Sequence, residues 1–502
     1  MELERSFGVL LHPSSLPGPN GIGTLGSHAR EFVDWLHSAG AAWWQVLPLG
    51  PTGYGDSPYQ AVSTFAGNPY FIDADELVQA GWLKKQQLLS APTGWVDYGW
   101  LYVQKWKMLR QAWLGFCKKA SDKAQGQFGD FRYQEKFWLD DYALYKSLKD
   151  KYDNNPWTKW DQALVWRKPK ALEKAREDLA DDVDFHSWTQ WLFYKQWSEL
   201  KQYAKKRNIK IIGDIPIFVA HDSPEVWAQP GMFLLDDKGE PRVVAGVPPD
   251  YFSATGQLWG NPLYDWDAHR EAGFSWWIQR LRTVLKTCDL VRIDHFRGFC
   301  AYWEVPAGAK TAVNGRWVDA PGEEFFEKVR QELGDVPVMA EDLGVITPEV
   351  EAFRDKLSFP GMKVLQFGFD GDEKNPFLPE NYEPHGRYIV YPGTHDNATT
   401  LGWYRNLSLK TKKLVHDYLL SHNLVAEPDE KIPWSFIELA WRSQAVVAIA
   451  TMQDILSLGN EARMNTPSVA GGNWCWRLGD SDLREELSRR LEDLATVTGR
   501  RA

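Results

Sequence analysis

Eight short apolar, β-branched runs, most of them separated by helix-patterned segments, constrain this 502-residue sequence more than any other feature. They cover residues 7–11, 43–49, 209–214, 290–294, 336–341, 363–369, 388–396 and a stretch within 445–453. Runs of this length read as buried strands. Eight of them alternating with helical patterns fit an α/β fold of the (β/α)8 (TIM) barrel type better than a doubly wound sheet. The first intervening helix is well patterned, with Phe32, Leu36 and Ala39 on one face and a stop at Gly40. Besides 209–214, which ends on Asp214, three of the runs stop on an acid, at Asp294, Glu341 and Asp396. In a parallel barrel the C-terminal strand ends form the mouth, and reactive side chains come from several strands. Two carboxyls facing each other across a pocket are the minimal machinery for glycoside chemistry.

The spacing of the runs is uneven. About 160 residues separate the second from the third, too long for a simple connection. Residues 75–205, rich in Trp, Lys and Asp, are therefore expected to form a mainly helical insertion after strand two. Residues 221–275, dense in Pro, Gly and aromatics, read as a lid inserted after strand three. Residues 1–502 then make one catalytic barrel with no separate C-terminal β-domain. Charge argues against nucleic acid or an anionic membrane as partner: 57 basic residues face 67 acidic ones, net −10, with no basic block. The four cysteines lack a C-x-x-C pair, which fits a reduced cytoplasm better than a disulfide framework or a zinc site. The N-terminus has no apolar signal region, and the longest clean apolar run, 445–452, is far too short to span a bilayer. A cytoplasmic protein, monomeric or dimeric, is expected. The 27 tryptophans offer flat faces for sugar rings, although for any single one packing is the better reading.

Alternation along a strand puts Arg292 and Asp294 on one face and Val291 and Ile293 on the other. The charged pair should face the barrel interior, where the guanidinium favours an ionised Asp294, as a nucleophile requires. Glu341 shares its face with Met339 and has no basic neighbour in sequence, so its pKa is expected to be raised, as a general acid needs. Alone, either acid reads as a helix cap or salt-bridge partner; three at strand tips read as catalysis. Asp214 ends strand three and is either a fourth acid of the site or a structural hydrogen-bond partner. His295 and His395 adjoin the candidates and either meet sugar hydroxyls or cap loops. The block 50–59 lacks a phosphate-loop ending and a following G-x-G-x-x-G helix, which argues against nucleotide binding, and it presents Ser57 and Tyr59 at the mouth.

Arg292-Ile-Asp-His-Phe-Arg-Gly298, Ala340-Glu-Asp-Leu-Gly344 and Gly393-Thr-His-Asp-Asn397 resemble the three catalytic blocks of the 4-α-glucanotransferases, the amylomaltases or disproportionating enzymes of the α-amylase superfamily. The resemblance also takes in Leu11-His-Pro-Ser-Ser-Leu-Pro-Gly18, the 50–60 block, Gly213-Asp-Ile-Pro-Ile-Phe218, Val247-Pro-Pro-Asp-Tyr-Phe-Ser253, Gln257-Leu-Trp-Gly-Asn-Pro-Leu-Tyr264 and Arg463-Met-Asn-Thr-Pro467. It implies Asp294 as nucleophile, Glu341 as acid/base and Asp396 as stabiliser of the distorted sugar. It further implies Asp214, Arg292, His295, His395 and Asn465 around the scissile sugar, and Ser57, Tyr59, Tyr251, Gln257 and Trp259 on the donor and acceptor sides. The implied substrates are malto-oligosaccharides and longer α-1,4-glucans, cleaved by a retaining mechanism with no metal or organic cofactor. The two carboxyls are then expected about 5–5.5 Å apart. The competing readings are an α-glucan hydrolase or debranching-type activity on the same barrel and, against the retention of all three acids, a non-catalytic glucan-binding protein.

Overall fold

The apolar runs pair side by side. In the computed structural model, which describes residues 3–501 except 54, 92–93, 250–252, 384–385 and 470, the strands are β1 (Ser6–Leu10), β2 (Trp43–Gln45), β3 (Lys210–Pro216), β4 (Val243–Val247), β5 (Gln257–Pro262), β6 (Leu290–Asp294), β7 (Ala301–Pro306), β8 (Arg316–Asp319), β9 (Val338–Ala340), β10 (Gly361–Val364), β11 (Tyr388–Tyr391) and β12 (Val447–Thr451). Eight of them form one sheet in the order β10-β11-β12-β1-β2-β3-β6-β9, with every neighbouring pair parallel. At the remaining seam the Ala340 N–H donates to the Pro360 carbonyl at 2.9 Å. Asp342 reinforces the seam, accepting from the Met362 N–H at 2.7 Å and pairing with Arg354. Gly361 leaves room for that carboxylate, since a Cβ there would lie 2.4 Å from Asp342 Oδ2. The (β/α)8 barrel expected from the run pattern is the fold.

Helices cover the outside, so the strands are buried on both faces, as parallel strands are. Val447–Thr451 is buried throughout. The helix Ser27–Ser38 lays Phe32, Val33, Trp35 and Leu36 on the barrel. It is followed by Gly40 at φ +70, a conformation that suits glycine.

Several strand limits differ from the sequence reading. β2 stops at Gln45, short of residue 49: the Leu47 N–H turns to His12 Nδ1 at 3.2 Å, and Pro48 has no N–H to resume a ladder. β10 lies at Gly361–Val364, not 363–369: Leu365–Gly368 winds into a 3-10 turn, drawn in by Gln366, whose N–H donates to Pro392 O and whose amide donates to Ala398 O. β11 ends at Tyr391, so Asp396 stands five residues beyond its strand, on a loop.

Between β2 and β3 the chain forms helices Tyr98–Lys119, Asp122–Gln134, Lys136–Lys151 and Ala180–Lys205, with shorter ones between. Trp113, Trp138, Trp157, Trp160, Trp188, Trp191 and Trp197 are buried among them, which assigns these rings to packing. A second sheet was not legible in the sequence. It is antiparallel, ordered β5-β4-β7-β8, and joins two strands that follow β3 to two that follow β6.

Candidate active site

Register brings the charged residues together. Asp214 on β3 is directly opposite Arg292 on β6, and Pro216 is opposite Asp294. Cross-strand partners in a sheet share a face, so the guanidinium that alternation aimed inward meets two carboxylates. Arg292 Nη1 donates to Asp214 Oδ2 at 2.7 Å, and Nη2 lies 2.8 Å from Asp294 Oδ1. The Tyr59 hydroxyl, carried on the loop after β2, donates to the same Asp214 oxygen at 2.8 Å. Burial pushes the Asp214 carboxyl up to about 6, even against Arg292, and pushes the Tyr59 phenol well above its ordinary value. Arg292 itself is held charged by Asp214 and Asp294, which overcome its own burial. Asp214 is thus a buried hydrogen-bond partner of Arg292 and Tyr59 within the group of acids, with Oδ1 still unpartnered.

Glu341 directly follows β9. Its main chain continues the pairing with β6, donating to Ile293 O and accepting from Phe296 N–H, each at 3.1 Å. His295 adopts the left-handed conformation, φ 55 and ψ 48, strained for a non-glycine residue by about 1–3 kcal/mol. That turn aims the His295 N–H at Glu341 Oε2, 2.7 Å away, while the Leu343 N–H reaches Oε1 at 3.0 Å. Burial first, and then the charge of Asp294, raise the Glu341 carboxyl to about 8; Arg292 and the two N–H donors pull only partly against them. A carboxyl that is protonated at neutral pH beside a second, arginine-paired one suits an acid and a nucleophile.

Asp396 is set the other way. Burial acts to raise it, but His395, the Asn465 amide and Arg292 outweigh burial and hold it well below the usual carboxylate range. Asn465 Nδ2 donates to Oδ1 at 2.7 Å, and His395 Nε2 lies 3.3 Å from Oδ2. The Arg463 guanidinium donates to the Asp396 carbonyl at 2.7 Å and to Asn465 O at 2.6 Å, fixing both loops.

The aromatic residues complete the wall. Tyr59 stacks on His395, with centroids 5.1 Å apart and planes 9° apart. Trp259 stands edge-on to His295 at 4.8 Å and tilts against Phe218. Burial depresses the His295 imidazole to about 3, so it is neutral, with Nε2 buried and unpartnered. Gln257 accepts from the Trp259 indole N–H at 3.2 Å. Ser57 caps the turn that carries Tyr59, accepting the Tyr59 N–H at 3.2 Å. Tyr251 lies outside the described residues. Sequence reasoning missed Trp474, which tilts against both Tyr59 and His395 at 6.0 Å, and Arg463 as the tie beneath Asp396. Trp474 is one indole among many on an irregular segment, and no periodicity marks it. Arg463 did stand inside a recognised block and was passed over. Among the described residues no group of three or more His, Cys, Asp and Glu side chains is arranged to hold a metal ion.

The sequence profile of the family described as 4-alpha-glucanotransferase matches residues 11–482. The 4-alpha-glucanotransferase of Thermus thermophilus is 55% identical over 500 residues, spanning 100% of both chains. That of Synechocystis sp. is 48% identical over 503 residues, 99% of this chain and 98% of the relative. An amylomaltase from Streptococcus agalactiae, solved in complex with acarbose, matches with a TM-score of 0.95 at 40% identity, covering 99% of this chain and 100% of that one.

Proposed function

The chain belongs to the 4-alpha-glucanotransferase family and is an enzyme of that activity, and from that premise we propose that Asp294, Glu341 and Asp396 carry the transfer by a retaining double displacement. Asp294 attacks the anomeric carbon of a donor glucan while Glu341 protonates the departing 4-oxygen, breaking the α-1,4 bond and leaving a β-glucosyl ester. Glu341, now ionised, removes the proton from the 4-hydroxyl of an acceptor, which displaces Asp294 and re-forms an α-1,4 bond. Asp396, held ionised, stabilises the positive charge that develops on the distorted ring. The chemistry needs no metal or organic cofactor.

The observation that carries this reading is the contrast at two adjacent strand tips: Asp294 is paired with Arg292 at 2.8 Å, while Glu341 beside it is pushed up to about 8. Asp214, Arg292, His295, His395 and Asn465 surround the sugar to be cleaved; Ser57, Tyr59, Gln257 and Trp259 line the donor and acceptor sides. The segment 221–275, which carries Trp259, acts as the lid that keeps water from the glucosyl ester. Malto-oligosaccharides and longer α-1,4-glucans are the substrates. Four free cysteines and no helix long and apolar enough to cross a membrane among the described residues fit a cytoplasmic enzyme, acting as monomer or dimer.

Incubation with maltotriose tests the reading directly. Glucose and longer oligomers should form together, with the number of glycosidic bonds conserved. Reducing ends that rise without longer products would assign the chain to hydrolysis instead.

A further inference from the structure

The carboxyl of Glu341 is gripped by two backbone N–H groups from two different loops, that of His295 after β6 at 2.7 Å and that of Leu343 after β9 at 3.0 Å. Neither donor belongs to a strand, so the sheet alone does not fix the angle of the carboxyl. The two loops are joined once more, two residues further along each: the guanidinium of Arg297 donates from Nη1 to the carbonyl of Val345. The contacts at 295–341, 341–343 and 297–345 therefore close a ring around the proposed acid.

Arg297 is an unusual choice for a tie. Its side chain is buried, yet among the described residues no carboxylate lies within ion-pair distance of it, and its Nε has no hydrogen-bond partner. A buried cation without an anion is costly. What lies against it is the indole of Trp317, 3.8 Å from the guanidinium carbon to the ring centroid. A planar guanidinium can stack on an aromatic face and donate sideways at once, which an ammonium cannot do. Trp317 belongs to β8, the edge strand of the small sheet, and is braced edge-on by Trp303 at 5.2 Å. At 38% exposed, a tryptophan at a sheet edge contributes little to a core; its place over Arg297 gives it a use.

We infer that Arg297, stacked on Trp317, is a positioning residue that straps the 343–345 loop to the His295 turn and thereby holds the Glu341 carboxyl in line with the glycosidic oxygen it protonates. The small antiparallel sheet, which no barrel needs, supplies the prop. This inference rests on Glu341 being the acid/base.

The readout is dependence on the leaving group. A fluoride needs no proton to depart, whereas a glucose hydroxyl does, so a fault confined to Glu341 spares the first and not the second. We would measure kcat/KM on maltotriose and first-turnover fluoride release from α-maltosyl fluoride for Arg297→Met, Arg297→Lys, Trp317→Leu and Trp317→Phe, with melting temperatures as a check on folding. Arg297→Met should lose about a hundredfold on maltotriose, the scale of a misplaced reacting group, and Trp317→Leu about three- to tenfold, the scale of one cation–π contact. Both should release fluoride within about twofold of the parent rate, since that step needs no acid catalysis. Trp317→Phe, which keeps a ring, should recover most of the loss, and Arg297→Lys should recover little. Equal losses on both donors, or no loss on maltotriose, would overturn the strap. Trp317→Leu, on an exposed edge strand, keeps the test open if Arg297→Met does not fold. Glu341→Gln is the control. If that variant slows both donors alike, the acid/base reading fails before the strap is reached; if it separates them and the strap variants do not, the strap alone is wrong.

Discussion

The tip of β9 and the loop after β11 each bring a buried acid to the same mouth, and the two acids are driven in opposite directions. For Glu341 and for Asp396 alike, burial is the strongest influence and acts to raise the carboxyl. What differs is the company. Glu341 has the charge of Asp294 beside it, and ends up at about 8. Asp396 has His395, the Asn465 amide and Arg292, and ends up far below its ordinary range. The protonation state of a buried carboxyl at this mouth is thus set less by depth than by which neighbours the adjoining loops deliver. One acid is ready to give a proton and the other cannot; the apolar neighbourhood of Glu341 is visible in its strand, whereas nothing in the sequence around Asp396 announces how far it is held down.

The largest effects should come from removing the reacting groups. Asp294→Asn and Glu341→Gln should each lower transfer on maltotriose by about a thousandfold or more. Asp294→Asn should also yield no trappable glycosyl-enzyme, whereas Glu341→Gln should still accumulate one from an activated donor. Mass spectrometry decides between them, and an adduct mapped to a residue other than Asp294 would remove it as nucleophile.

The contrast between the two tips is sharpened by pH. Glu341 must be protonated to act, so kcat/KM on maltotriose should fall as pH rises through about 8, by about tenfold per pH unit beyond it. With a fluoride donor, glycosylation should not fall there. A profile flat from about pH 7 to 9.5 would mean that Glu341 is not the titrating acid.

Asn465→Ala tests the opposite side. It removes one of the influences holding Asp396 down, so the Asp396 carboxyl should rise and the acid limb of the profile should move to higher pH. The rate at neutral pH should drop by about tenfold, as for loss of one hydrogen bond to a charged group. A rate loss with an unmoved acid limb would show that Asn465 orients sugar and does not tune Asp396.

Smallest of all should be Trp259→Ala, which leaves the acids alone. Losing one aromatic stacking contact should reduce acceptor capture by about three- to tenfold, while attack by water slows less. New reducing ends should rise relative to longer oligomers. An unchanged ratio with normal folding would assign Trp259 to packing against His295 and Phe218 only.

Much of this site is legible residue by residue. Asp294 and Glu341 are readable as acids because each terminates an apolar run, and alternation correctly turns Arg292 inward with Asp294. Asp396 reads as the end of a third run, but the strand stops at Tyr391 and the acid lies five residues past it, on a loop whose course no periodicity reports. The sequence does not state that β3 and β6 are neighbours, so it cannot show that Asp214 faces Arg292; the register does. Asn465 comes from its motif; Arg463 and Leu343 lie in motif blocks as well, but a motif does not report which main-chain groups they tie, and Trp474 lies on an irregular segment where no spacing rule applies. The β5-β4-β7-β8 sheet escaped for a related reason. Its strands are short, β4 and β5 are broken by Gly246 and Gly260, and β4 pairs with β7 across more than fifty residues of chain, from Val247 to Ala301.

The sequence by itself determined which runs are strands, that they are parallel and buried, and which acids stand at or near their ends, because period and composition act locally and repeat along the chain. Tertiary structure alone decided how strongly each acid is shifted, that Asp396 is held ionised, which histidine is neutral and what braces each of them. Those properties depend on charges and dipoles within a few ångströms, such as Asp294 on Glu341 or Asn465 on Asp396, and such neighbours come from residues far apart in the chain.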